Sequence, residues 1–181
     1  MRVIAGELKG RRLDAPDWPG LRPTSDKLRE TLFNILAPRI RGARVLDGYA
    51  GTGAVGIEAI SRGAAHVSFV ERDKRAATLI ETNLGRCGVV ERYAIIRAAF
   101  AGNVGAPGGE PFDIVFLDPP YGPAELAAAL AAADSVVAGS TLLVIEHARR
   151  DPAPERAGAL ARTREVISGQ SALALYRRRS V

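Results

Sequence analysis

The chain has 181 residues, 47% hydrophobic and 25% charged, with a formal net charge of +5, which suits one globular domain with a buried core. No apolar run approaches the ~20 residues a membrane span needs, and "MRVIAGELKGRR" carries no apolar signal-peptide segment, so a cytoplasmic protein is expected. The single cysteine, Cys87, excludes an internal disulfide, and with only His66 and His147 beside it no metal site is expected.

Two short strands, near Arg2–Ile4 and Arg11–Leu13, are expected to flank the glycine-containing "AGELKG" as a hairpin. "DAPDWPGLRP" is a loop, broken by Pro16, Pro19 and Pro23. Ser25 suits the N-cap of a helix running to about Leu36. Leu28, Leu32, Ile35 and Leu36 share one face of it, while Asp26, Lys27, Arg29 and Glu30 fall on its other positions.

From Ala43 onward strands and helices alternate. "ARVLDGY" is a strand, "GAVGIEAISRG" a helix with Gly63 at its C′ position, and "HVSFVER" the second strand. A helix from about Asp73 to Arg86 leads to the strand "YAIIRA", and "GNVGAPGGEP" is a loop. "DIVFLD", the helix "PAELAAALAAAD" and "STLLVIEH" follow. Two short strands, near Arg164–Ile167 and Ala172–Arg177, make a closing hairpin around "SGQS". Strands joined by helical crossovers imply a doubly wound α/β fold, a mostly parallel sheet with helices on both faces. The whole chain reads as a single domain, with residues 1–42 an N-terminal hairpin-and-helix extension and 43–181 the core.

"VLDGYAGTGAVG" lies where a nucleotide-binding turn belongs, between a first strand and a helix. Gly51, Gly53 and Gly56 match G-x-G-x-x-G, a spacing that also occurs in purely structural strand-to-helix turns. Two acids argue against a nicotinamide dinucleotide. Asp47, four residues before Gly51, would repel a pyrophosphate and attract a cationic amino group. Glu71, at the tip of the second strand, can accept hydrogen bonds from both ribose hydroxyls. An adenosine carrying an ammonium and no phosphate satisfies both, and S-adenosylmethionine is such a ligand.

The fourth strand ends in Asp118-Pro119-Pro120-Tyr121. Ligands of open α/β sheets bind at the carboxyl ends of the strands, and in the usual strand order this loop would face the glycine turn. A nucleobase amine is a poor nucleophile because its lone pair is delocalised into the ring. The Asp118 carboxylate and the Pro119 carbonyl, aimed at its hydrogens, would favour a pyramidal nitrogen. The prolines hold those acceptors in place, and the Tyr121 ring offers a surface for a base taken out of its stack.

Basic residues gather at the two ends. Arg2, Lys9, Arg11, Arg12 and Arg22 crowd the start, and "YRRRS", Tyr176 to Ser180, closes the chain. Such clusters either neutralise phosphates or form a solvated face.

With these residues in view, "VLDGYAGTG" resembles motif I of the class I S-adenosylmethionine-dependent methyltransferases, and "DPPY" their motif for amino-group methylation. "MRVIAGELKGRRL" and "LRPTSDKLRETLFNIL" narrow the resemblance to the RsmD family, bacterial enzymes that methylate the N2 amine of guanine 966 in 16S ribosomal RNA. The similarity spans nearly the whole chain. It implies a Rossmann-like, seven-stranded sheet whose final hairpin inserts one antiparallel strand, and a helix over the cofactor pocket. It also implies S-adenosyl-L-methionine held by Thr24, Asp47, Gly48, Ala50, Gly51, Gly53, Glu71, Arg72, Ala99 and Asp118, with Asp118 to Tyr121 as the catalytic loop. Arg2, Lys9, Arg11, Arg12 and Arg22 become the RNA-docking surface. The implied partner is 16S ribosomal RNA in the small subunit or an assembly intermediate, with no membrane and nothing demanding more than a monomer. One departure stands out: relatives commonly carry an Asp or Asn after the third strand, where this chain has Ala98 and Ala99, with Asn103 beyond.

Rival readings keep the chemistry but change the acceptor to adenine N6, cytosine N4 or a protein glutamine. A nicotinamide-dependent oxidoreductase conflicts with Asp47 and leaves Asp-Pro-Pro-Tyr without a role. A non-catalytic RNA-binding module has no need of both acids and the proline pair.

Overall fold

The computed structural model describes residues 1–19, 24–100 and 109–179, which divide into two compact units, Met1–Ala99 and Phe100–Val181. In the first unit, helix α1 (Asp26–Leu36) starts where Ser25 predicts, the Ser25 hydroxyl accepting from the Leu28 amide at 3.2 Å. Leu28, Leu32 and Leu36 are buried as expected, and so is Phe33. Arg29 corrects the helical reading: expected among the polar positions, it is fully buried. Its guanidinium donates to the Arg2 carbonyl at 3.0 Å and to the Asp26 carboxylate at 2.5 Å, and lies 3.8 Å from the buried Glu58 carboxylate. Helical periodicity cannot announce a buried charge that owes its burial to partners on other segments, here Arg2 and Glu58.

Strands β1 (Arg44–Asp47), β2 (His66–Val70) and β3 (Tyr93–Ile96) pair in parallel in the order β3-β2-β1. Helices α2 (Ala54–Ser61) and α3 (Lys74–Arg86) form the crossovers that parallel pairing requires. Gly63, at φ 94°, follows α2 as its C′ residue. The Asp73 carboxylate caps α3 by accepting from the Arg75 amide at 2.8 Å.

The N-terminal hairpin is also corrected. In place of two strands there is one isolated antiparallel bridge, Arg2 with Arg12. The physical reason is competition for backbone amides. Ile4 and Ala5 donate to the Glu58 carboxylate at 2.8 and 3.0 Å, and Leu8 and Glu7 donate to the Ser61 hydroxyl and carbonyl at 3.0 and 2.8 Å. Across the hairpin the Val3 amide donates to the Arg11 carbonyl at 2.9 Å and the Leu13 amide to the Met1 carbonyl at 3.0 Å. The Arg11 amide that would return the bond goes to the Leu8 carbonyl at 3.1 Å, which stops the ladder at one bridge. Gly6 makes the close approach possible, because a Cβ there would sit 1.9 Å from the Ser61 carbonyl oxygen.

The second unit holds β4 (Ile114–Leu117), α4 (Pro123–Ala133), β5 (Leu142–Ala148), β6 (Arg156–Ala157), β7 (Leu160–Ser168) and β8 (Ser171–Arg178). β4 and β5 are parallel and buried along their whole length, as the apolar run of β4 and the first four residues of β5 foretell, with Glu146 and His147 buried in the second half of β5. β8 pairs antiparallel with β5 on one side and with β7 on the other, which is the inserted antiparallel strand the resemblance implied. The described residues contain eight strands where seven were expected. The extra one, β6, turns through Gly158 to pair Arg156 with Ala161 and Ala157 with Leu160. Two residues are too few to show an alternating pattern. Among the described residues, no helix is long and apolar enough to cross a membrane.

Candidate active site

In the first unit, β1 delivers Asp47 into the glycine turn. The Ala50 amide donates to the Val70 carbonyl at 3.0 Å and the Gly53 amide to the Ala50 carbonyl at 2.7 Å. These bonds curl the chain through Gly51 and Gly53, whose φ values of 56° and 77° favour glycine. Gly56 serves packing, since a Cβ there would lie 2.1 Å from the Phe69 ring. Gly48 and Ala50 are buried beside Asp47.

Asp47 is 1% exposed and accepts from the Gly56 amide at 3.1 Å. Burial raises its pKa to about 7; the Gly56 hydrogen bond pulls it down and the Glu71 charge pushes it up. Glu71 reaches back over the same turn, one carboxylate oxygen accepting from the Gly51 amide at 3.0 Å and the other from the Asp73 amide at 2.8 Å. Both acids singled out in the sequence therefore converge on one turn. Arg72 is exposed next to Glu71, Thr24 is half-buried just ahead of the α1 cap, and Ala99 is exposed beyond β3. Asn103 lies outside the described residues.

A residue that sequence reasoning missed ties this turn to the N-terminal segment. Asn83, fully buried on α3, donates to the Thr52 carbonyl at 3.0 Å and to the Asp14 carbonyl at 3.2 Å, and accepts from the Asp14 amide at 2.7 Å. A polar residue on the apolar side of a helix was its only signal. Glu58 and Asn83 thus fasten the two ends of the basic segment to α2 and α3. Arg2, Lys9, Arg11 and Arg12 are exposed on it, and Arg22 lies outside the described residues.

In the second unit, Asp118 follows β4, half-buried, with Pro119 buried and Pro120 exposed. Tyr121 is 36% exposed, and its hydroxyl donates to the Glu146 carboxylate at 2.9 Å and lies 2.8 Å from the Ser171 hydroxyl. Partial burial raises the phenol pKa, so it stays a donor at neutral pH; Ser171 opposes that shift, and Glu146 and Asp118 add to it. Glu146 and Ser171 were not foreseen. The available signal is a lone acid in "TLLVIEH": Ile145 pairs with Leu117, so Glu146, inside β5, stands level with Asp118, the first residue after β4.

The "YRRRS" end is in part structural. Tyr176 is buried, and Arg178 donates to the Val137 carbonyl at 2.7 Å and to both the carbonyl and carboxylate of Asp134. Ser180 lies outside the described residues.

A glycine turn closed by two acids after β1, and Asp-Pro-Pro-Tyr after β4, on strands joined by helical crossovers, define a Rossmann-like class I methyltransferase fold. Comparison with solved structures agrees: the YhhF protein of Escherichia coli superposes with a TM-score of 0.84 at 34% identity, covering 100% of this chain and 99% of that one. The family described as "Conserved hypothetical protein 95" matches residues 1–177. Ribosomal RNA small subunit methyltransferase D of Escherichia coli K12 is 39% identical over 185 residues, 98% of this chain and 90% of its own length. YlbH of Bacillus subtilis is 38% identical over 183 residues, 99% of this chain and 100% of its own length. The chain belongs to this family, the RsmD family of methyltransferases.

Proposed function

We propose that this protein transfers the methyl group of S-adenosylmethionine to the N2 amine of a guanine, position 966, in 16S ribosomal RNA, acting in the cytoplasm as a monomer. The observation that carries the reading is the convergence of Asp47 and Glu71 on one glycine turn, in a chain 39% identical to a named ribosomal RNA small subunit methyltransferase. In this reading Asp47 takes the donor's ammonium and Glu71 its ribose hydroxyls. Gly48, Ala50, Gly51 and Gly53 let the ligand approach the backbone, and Thr24, Arg72 and Ala99 border it. Asp118 and the Pro119 carbonyl accept the two amine hydrogens, and the base rests on Tyr121. The nitrogen lone pair displaces the sulfonium sulfur from the methyl carbon, S-adenosylhomocysteine departs, and the ammonium formed loses its proton to solvent or to Asp118. No covalent enzyme intermediate is needed. Arg2, Lys9, Arg11, Arg12 and Arg22 would meet RNA phosphates.

The decisive experiment incubates the protein with labelled S-adenosylmethionine and small ribosomal subunits from a strain lacking the activity, then maps the modified nucleotide. Label on guanine N2 is expected. Label on adenine N6, on cytosine N4 or on protein refutes the assignment.

Two further results are expected from the cofactor side. Glu71→Ala should weaken S-adenosylmethionine binding by one to two orders of magnitude, since it loses acceptors for two hydroxyls. Unchanged calorimetric affinity rules out the ribose role. The second concerns pH. With its pKa raised from 3.8 to about 7, Asp47 is protonated at pH 6 in the free protein, and an ammonium ligand must expel that proton. Affinity should therefore rise with pH, at most about tenfold per unit, and level off above about pH 7. The same sign applies to folding. The folded protein holds this proton more tightly than the unfolded chain, so Asp47's contribution to stability falls as pH climbs from about 4 to about 7. Asp47→Asn should flatten both profiles. A binding curve with the same pH dependence in that variant would assign the titration to another group.

A further inference from the structure

Beyond the exposed arginines of the N-terminal segment, one basic feature stands at the edge of the second unit where Asp118 emerges. β5 ends at Ala148 and turns at once through Arg149 and Arg150, both exposed. The turn is held firmly. The Asp151 amide donates to the Ala148 carbonyl at 2.9 Å, and the buried His147 Nδ1 lies 3.0 Å from the Asp151 carbonyl. The Arg149 amide donates to the Gln170 carbonyl at 2.8 Å, fastening the turn to the tip of the β7–β8 hairpin. The Arg150 guanidinium is 83% exposed and 3.6 Å from Asp151, an ion pair that solvent leaves worth little.

The position of this turn gives it a role. Ala148 pairs in register with Ser171, and the Ser171 hydroxyl is 2.8 Å from that of Tyr121. One serine therefore joins the arginine turn to the tyrosine that the proposed reaction uses as a base platform. Adjacent arginines in a tight turn repel each other, and a bound polyanion removes that repulsion. Guanidinium groups fork onto phosphate oxygens, and a base turned out of its stack leaves phosphates on either side of it to be held.

We infer that Arg149 and Arg150 form an RNA-contact surface that grips the phosphates flanking the nucleotide seated on Tyr121, an inference that rests on the RNA-methylation reading above. The test uses the full chain and small ribosomal subunits from a strain lacking the activity, with affinity measured across a salt series. Arg149→Ala/Arg150→Ala should bind about tenfold more weakly near 0.1 M salt. Its plot of log affinity against log salt should be shallower by about 1.5, the loss of two phosphate contacts at ~0.7–0.9 each. Arg149→Lys/Arg150→Lys should recover most of the slope. Arg39→Ala/Arg41→Ala removes the same charge from exposed positions before β1 and should leave RNA affinity in place. An unchanged slope in the first variant, with the parent still binding steeply and methylating, overturns the inference and spares the function. Equal losses in the first and control variants reduce it to net charge and also overturn it. A parent protein that neither binds nor methylates ribosomal RNA sinks both.

Discussion

Asp118→Ala is expected to slow methyl transfer by about a thousandfold while leaving the dissociation constant of S-adenosylmethionine nearly unchanged. Preorganised acceptors act on the amine only as its nitrogen becomes pyramidal, so their loss falls on the chemical step, typically by ~10²–10³ for one such group. Asp118 is the one ionisable acceptor in the loop, and the buried Pro119 beside it keeps the backbone in place when the side chain is removed. Asp118→Asn keeps an acceptor oxygen without the charge and should fall between parent and alanine variant. Single-turnover transfer of labelled methyl, set beside calorimetric titration of the donor, separates the two quantities. If both fall by the same factor, Asp118 is a cofactor ligand and the nucleophile is activated elsewhere.

Glu58→Ala should destabilise the protein by about 3–5 kcal/mol, the usual consequence of removing one partner of a buried charge pair. For a chain of this length that is a melting-temperature drop of about 10 °C. Glu58 is fully buried and accepts from the Ile4 and Ala5 amides and, at 2.8 Å, from Arg62, while facing Arg29. Its removal strands two backbone amides and leaves the buried Arg29 with the Asp26 carboxylate and the Arg2 carbonyl alone. Glu58→Gln keeps an acceptor for the amides and should lose less. The N-terminal segment hangs on these bonds, so limited proteolysis near residues 4–8 should accelerate in Glu58→Ala. A melting temperature within a degree or two of the parent would show that the segment is held by its bonds to Ser61 and Asn83 and by the packing of Val3 and Leu13, without a contribution from Glu58.

The same contrast separates the elements that local sequence encodes from those it does not. Helix α1 is legible because its signals are local: a serine three residues ahead of the amide it caps, and leucines four apart. The glycine turn is legible for the same reason, its G-x-G-x-x-G spacing being confined to one strand-to-helix connection. The N-terminal hairpin keeps its expected pairing but shortens to one bridge, because the Arg11 amide turns back to Leu8, while the amides of Ile4 and Leu8 find Glu58 and Ser61 more than 50 residues away. Arg29 is misplaced because a charge on a helix defaults to solvent in any pattern argument, and the acid that draws it inward belongs to another helix.

The sequence by itself determined the alternation of strands and helices, the two acids of the glycine turn, the proline loop after the fourth strand and the family. Each of these is written in consecutive residues whose spacing answers to backbone geometry. Only the tertiary structure decided that Asn83 ties the glycine turn to the basic segment, that Glu146 and Ser171 hold Tyr121, and that Arg178 is spent on Asp134 while Arg149 and Arg150 stand exposed. These pairings join groups 25 to 69 residues apart. A polar side chain's role depends on which distant partner shares its low-dielectric surroundings, and nothing in its immediate neighbours encodes that partner.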